Sequence, residues 1–88
     1  MPTLSMFYGI VITMFNEQRA PHHRAHFHAR YGQHNASFDL SGNLLSGSFP
    51  AKQRKLIAAW AEIHHDELMA NWDLLSCGEK PYRIDPLR

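Results

Sequence analysis

The sequence predicts an α+β fold, an antiparallel meander sheet of three to five strands with one long C-terminal helix packed on one face. The first half of the chain holds runs of alternating apolar and polar residues separated by turn signals, which is typical of strands joined by hairpins. Residues 51–77 then contain no Gly or Pro and place apolar side chains at helical spacing. A chain of 88 residues predicts a single domain, 1–88.

The segment 6–15, MFYGIVITMF, is aromatic and β-branched and predicts the first strand. Read as one strand it has two apolar faces, because Phe7, Val11 and Phe15 alternate with Ile10 and Ile12. A strand that is apolar on both faces is usually buried on both. We therefore expect another element or a second copy of the chain to cover Tyr8, Ile10 or Ile12.

Two alternating runs, 25–31 and 36–40, predict the next two strands, with a turn at 32–35 between them. Pairing Gly32 with Asn35 would set Phe27 opposite Leu40 and His28 opposite Asp39. This register keeps the apolar residues of both strands on one face, whereas a slip of one residue would mix the faces. A turn at 41–43 and a short strand at 44–49 complete the predicted sheet.

Pro50 suits the start of the predicted helix, and Gly78 suits the position just after its end. The residues that fall on one side of the helical wheel are Ile57, Trp60, His64, Leu68 and Leu75. His64 is therefore expected in the core. The helix begins with the basic run 52–55, KQRK, an unfavourable charge order for the helix dipole. The tail could add an edge strand at 82–84.

Composition limits the function classes. The apolar fraction of 44% and the charged fraction of 19% are ordinary for a globular domain, and a net charge of +1 gives no broad basic field for bulk nucleic-acid binding. A single cysteine, Cys77, cannot form an internal disulfide and fits a reducing compartment. The N-terminal segment does not resemble a signal peptide or a membrane span. We expect a cytoplasmic protein that does not bind membranes.

The candidate functional residues lie in the run HFHAR. His26, His28 and Arg30 alternate, so that they share one strand face, and Asp39 is expected across from His28. As a metal site, His26 and His28 would bind zinc or nickel, with Asp39, His22 or His23 completing the ligands. As a catalytic site, the four candidates would support a nuclease or hydrolase, with an imidazole as general acid or base and Arg30 on the phosphate of RNA. Alternatively, the imidazoles are polar groups on the partner-facing side of a non-catalytic, dimeric binding module.

The chain also resembles a known family, the bacterial domain-of-unknown-function 4160 family. The resemblance rests on the segments MPTLSMFYGIVITMF, HFHARYG, IAAWAEIHHDELMANWDL and KPYRIDPL, in this order. His26 to Ala29 match the family's Pro-Pro-His-Phe-His-Ala segment, but Arg24 and Ala25 replace the two prolines. The resemblance implies a small stand-alone bacterial protein in a toxin–antitoxin-like pair. It favours a partner-binding protein with a small protein partner or a homodimer, and it leaves RNA as a further candidate partner.

Overall fold

The computed structural model describes residues 3–15 and 24–88 and confirms an α+β architecture. Five antiparallel strands follow one another in the order β1-β2-β3-β4-β5, so that each strand pairs with its sequence neighbours. The strands are β1 (Thr3–Phe7), β2 (Ile10–Thr13), β3 (His26–Tyr31), β4 (His34–Asp39) and β5 (Leu44–Gly47). Two helices follow, α1 (Ala51–Ile63) and α2 (His65–Ser76).

The segment 6–15 belongs to a hairpin and does not form the single strand that its composition predicts. Tyr8 and Gly9 form a two-residue turn with φ angles of 49° and 78°, and Phe7 pairs with Ile10. Positive φ at both central residues is the backbone of a type I′ turn, which Gly9 tolerates without strain. The turn puts Phe7 and Ile10 on the same face, and this explains why the segment looked apolar on both sides. Ile10 and Ile12 are fully buried in the chain's own core, so no second copy is needed to cover them.

The hairpin of β3 and β4 has a tighter turn than the sequence analysis predicted. Tyr31 pairs with His34, which leaves only Gly32 and Gln33 in the turn. Gly32 has a φ of 57°, the conformation that favours glycine at the first central position of a type II′ turn. The predicted register is therefore wrong by two residues, and Asp39 pairs with His26. Because the shift is an even number, the predicted faces of both strands are preserved.

The predicted single long helix is wrong, because it is interrupted at His64, where φ is −107° and ψ is 25°. An unbroken helix over 51–76 would be about 39 Å long, and the longest dimension of the molecule is 34 Å. The interruption therefore lets both halves fit within a molecule that is shorter than the combined helix. The His64 imidazole bonds to Oε1 of Glu67 at 2.7 Å and contacts the Trp60 ring. His64, which was expected in the core, is part-buried at the junction of the two helices.

The C-terminal tail is bonded to the helices and to the outer edge of β1. The buried side chain of Asn71 donates to the carbonyl of Tyr82 at 3.1 Å and accepts from its N–H at 2.8 Å. Trp60 Nε1 donates to the carbonyl of Asp85 at 2.8 Å. The N–H of Ile84 donates to the carbonyl of Leu4 at 2.8 Å. The tail forms no strand. The hydrogen bond from Ile84 lies where the predicted edge strand 82–84 would pair with β1.

The core lies between one face of the sheet and the two helices. Phe27 of β3 contacts Phe38 of β4 and packs edge-on against Trp60 of α1 at 5.7 Å between ring centroids. Burying such aromatic side chains is the main stabilising contribution in a domain of this size. Neither helix in the described part of the chain has the length and the apolar run that a membrane span requires.

Candidate functional site

The open face, which is the surface of the sheet that faces away from the helices, carries the candidate residues in rows across the strands. One row joins Met6, Val11, Arg30 and Asn35, which pair in succession from β1 to β4. The next row crosses all five strands and is entirely polar, comprising Thr3, Thr13, His28, Ser37 and Ser46. Residues that pair directly across antiparallel strands point to the same face, so both rows lie side by side.

The structure brings His26 and His28 into contact on β3, on the strand face that the alternation predicted. Their ring centroids are 5.1 Å apart, and the rings meet edge to face. Phe15 stacks on the imidazole of His28 at 4.7 Å with an angle of 12° between the planes. His26 lies at the end of the sheet, where Trp72 of α2 reaches its ring at 5.3 Å. Aromatic contacts on both imidazoles hold the pair in a defined arrangement.

The hydrogen bonding of His26 fixes its tautomer when the ring is neutral. Nδ1 lies 2.8 Å from the carbonyl oxygen of Arg24, which can only accept, so Nδ1 carries the proton. Nε2 then has the lone pair, which is the form needed for a general base or a metal ligand. Two adjacent imidazoles can serve as one general acid and one general base on the same substrate. This geometry is compatible with both the catalytic and the metal hypotheses.

Asp39 pairs with His26, and its carboxylate points into the turn between β4 and β5. Oδ1 accepts from the N–H groups of Ser41 and Asn43, both at 2.9 Å. Oδ2 accepts from the side chain of Asn43 at 3.2 Å and from Arg24 at 3.3 Å. Burial alone raises the pKa of Asp39, but the hydrogen bonds from Asn43 and Ser41 and the Arg24 charge outweigh it and hold the pKa below its ordinary value. Asp39 therefore stabilises the turn as an anion.

Arg30 provides the positive charge of the open face. It is exposed, lies between Val11 and Asn35 in its row, and forms no ion pair with any residue of the ranges 3–15 and 24–88. A shallow groove runs beside it, lined by Thr3, Val11, Thr13, Phe15, His28, Ala29, Arg30 and Asn35. A guanidinium group beside such polar side chains can bind a carboxylate or a phosphate through two parallel hydrogen bonds.

The metal hypothesis rests on two histidines in the structure. Among the described residues, no group of three or more His, Cys, Asp or Glu side chains is arranged to hold a metal ion. His22 and His23, the predicted additional ligands, lie outside the described residues. Zinc or nickel binding by His26 and His28 therefore stays a prediction.

Sequence reasoning missed two ring neighbours of the candidate histidines. The alternation of apolar residues predicted that Phe15 shares a face with Val11. This pattern was sufficient to place Phe15 on the open face beside His28. Trp72 lies on α2, far from β3 in sequence, and its ring contact with His26 joins the helical layer to the end of β3. The packing of a helix across a strand end has no signature in local spacing.

The comparison with known proteins identifies a family. Residues 9–73 match the family model described as "Domain of unknown function (DUF4160)". No curated protein and no solved structure matches the chain. Because the match covers most of the chain, the chain belongs to the DUF4160 family.

Proposed function

We propose that this member of the DUF4160 family is a partner-binding protein. The open face would dock the acidic surface of a small protein encoded beside it, as in a bacterial toxin–antitoxin-like module. The observation that carries the proposal is the composition of the open face. Met6, Val11 and Arg30 follow one another in one row, Phe15 lines the same groove as Arg30, and the Arg30 guanidinium has no ion-pair partner within the described residues. Methionine, aromatic residues and arginine are enriched at protein interfaces, and lysine and glutamate are depleted.

Charge supports an acidic partner. The described strands contribute no lysine or glutamate to the open face, and the carboxylate of Asp39 is engaged by Ser41, Asn43 and Arg24. Within the described strands, Arg30 is therefore the dominant fixed charge of this surface. A buried arginine paired with a carboxylate of the partner is the kind of contact that dominates interface energy. The half-buried Val11 and Phe15 and the exposed Met6 would supply the apolar centre of the interface.

The test is co-expression with the product of the adjacent small gene, followed by co-purification. The variant Met6→Glu/Arg30→Glu changes the open face, and Ile63→Glu/Arg83→Glu is the matched control, because Ile63 is similarly exposed on α1 (66% against 57% for Met6). We expect the control to bind like the wild type and the open-face variant to bind about thirtyfold more weakly or worse. Equal binding by all three proteins, or the lack of any small neighbouring gene, would refute the proposal.

A second candidate function is a histidine-dependent or metal-dependent nuclease or hydrolase. The contact between the imidazoles of His26 and His28 at 5.1 Å favours it, because a paired acid and base suits phosphodiester cleavage. Arg30 would bind the phosphate. The test compares RNA cleavage and bound metal of the wild type, His26→Ala and His28→Ala, all purified without a histidine tag. Cleavage that both substitutions abolish would support this function, and a wild type without metal and without cleavage would eliminate it.

A third arrangement, a non-catalytic homodimer through the open face, competes with the hetero-complex for the same surface. It predicts that the purified chain alone elutes as a dimer and that Met6→Glu/Arg30→Glu makes it monomeric. Light scattering across a concentration series decides between them, since a chain that is monomeric at every concentration is incompatible with the homodimer.

A further inference from the structure

We propose a second binding site, independent of the open face, for the phosphate groups of a nucleic-acid backbone. It is the basic groove, which lies between the turn after β4 and one side of α1. Gly42, Asn43, Leu44, Ala51, Arg54, Lys55 and Ala58 line it. Lys52 is exposed three residues before Lys55 and so extends the same side of the helix. The ligating groups are the side chains of Lys52, Arg54 and Lys55.

Small residues shape the groove. Gly42, with a φ of 90°, lies so close to α1 that an added Cβ would be 2.8 Å from the Cα of Ala58. The turn therefore contacts the helix backbone at one end of the groove and leaves the surface open toward Ala51. Positions 51, 54, 55 and 58 share one side of α1 by their helical spacing, so that Arg54 and Lys55 project beside this opening.

The charges in the groove are uncompensated. Lys52, Arg54 and Lys55 form no ion pair with any residue in the described part of the chain, and the first turn of α1 contains no acidic residue. The helix dipole disfavours cations at this end of a helix. Three adjacent cations here reduce the stability of the free protein, and a bound polyanion would remove this cost.

The lining favours a phosphate backbone over a protein or a base. Among the described residues that line the groove, Leu44 is the only large apolar side chain and none is aromatic. A protein partner would need an apolar centre, and bases would need aromatic rings for stacking. The groove therefore suits contacts to phosphates that do not depend on sequence. RNA and DNA share this chemistry, and we expect the two to bind with similar affinity.

The experiment measures binding of short fluorescent single-stranded RNA and DNA of the same sequence by anisotropy. For three phosphate contacts, log K should fall with log salt with a slope of about −2. The variant Lys52→Gln/Arg54→Gln/Lys55→Gln should lose about tenfold or more in affinity at low salt and nearly all of the salt dependence. The matched control, Lys80→Gln/Arg83→Gln/Arg88→Gln, removes the same charge from exposed positions of the tail and should bind within about twofold of the wild type.

Four outcomes would overturn the proposal: no binding by the wild type at low salt, equal losses in the two triple variants, polyglutamate competing as well as inorganic polyphosphate, or a large preference for RNA over DNA. Circular dichroism verifies that the variants are folded. The variant Lys52→Gln/Arg54→Gln/Lys55→Gln should melt at the wild-type temperature or above it, because it removes cations from the N-terminal end of α1.

Discussion

Replacing Asp39 by alanine should destabilise the fold, because the carboxylate organises the turn between β4 and β5. The substitution leaves the N–H groups of Ser41 and Asn43 without the acceptor that they share at 2.9 Å. A hydrogen bond to a charged group contributes about 1.5 to 3 kcal/mol when buried. Water can replace part of the lost hydrogen bonding, because Ser41 and Asn43 are exposed. The ion pair with Arg24 at the surface contributes less than about 1 kcal/mol. We expect a loss of about 2 to 3 kcal/mol in the free energy of unfolding at pH 7.

The pH dependence of this loss follows from the lowered pKa of Asp39. A carboxyl group whose pKa is lower in the folded state stabilises the fold above its unfolded pKa of about 3.9, and this stabilisation disappears as the pH falls through the folded value. The difference between wild type and Asp39→Ala should therefore be largest near neutral pH and shrink in acid. Urea unfolding monitored by tryptophan fluorescence from pH 7 downward measures it.

The control for Asp39 is Asp73→Ala, which removes an exposed carboxylate on α2 and should change stability by less than about 0.5 kcal/mol. Asp39→Asn keeps the shape but replaces one acceptor oxygen with a donor, and we expect an intermediate loss. If Asp39→Ala were as stable as Asp73→Ala at pH 7, or equally destabilised at every pH, the structural role assigned to Asp39 would be refuted.

Three further substitutions test the packing. Asn71→Ala leaves both backbone groups of Tyr82 without their partner and should cost about 2 to 4 kcal/mol in urea unfolding; a loss below about 1 kcal/mol would mean that the tail does not depend on this side chain. Ser5→Ala removes a buried hydroxyl that has no hydrogen-bond partner within the described residues, so stability should stay unchanged or rise by up to about 1 kcal/mol. A clear loss of stability would contradict this and show that the hydroxyl is hydrogen-bonded. Gly42→Ala forces a Cβ against Ala58 at positive φ and should lower stability by about 2 kcal/mol in thermal unfolding; a wild-type melting temperature would contradict the close approach.

The sequence sufficed for the fold class and for the faces of β3, because period-two alternation is a local property. Phe27 and Ala29 face the helices while His28 and Arg30 face away, as the alternation predicted. The hairpin at 6–15 was missed because its residues favour strands on both sides of the turn. Only Gly9 marked the turn, and a lone glycine within a strand-like run is a weak signal.

Other features depend on tertiary geometry that local spacing does not encode. The interruption at His64 contains no Gly or Pro, and its only visible correlate is that an unbroken helix would exceed the 34 Å length of the folded molecule. The register of β3 and β4 was wrong by two residues because Gly32 and Gln33 suffice for the turn, and a shift of two residues leaves the apolar pattern unchanged. This shift changed the neighbour of Asp39 from His28 to His26.

The central claim is that the open face docks an acidic protein partner, and methyl NMR tests it most directly. The methyl groups of Met6 and Val11 report on the open face, and those of Ile63 and Met69 report on exposed positions of the helical layer. On addition of the adjacent gene's product, we predict shifted or broadened signals for Met6 and Val11 and unchanged signals for Ile63 and Met69. Changes at Ile63 and Met69 with Met6 and Val11 unaffected would contradict the claim.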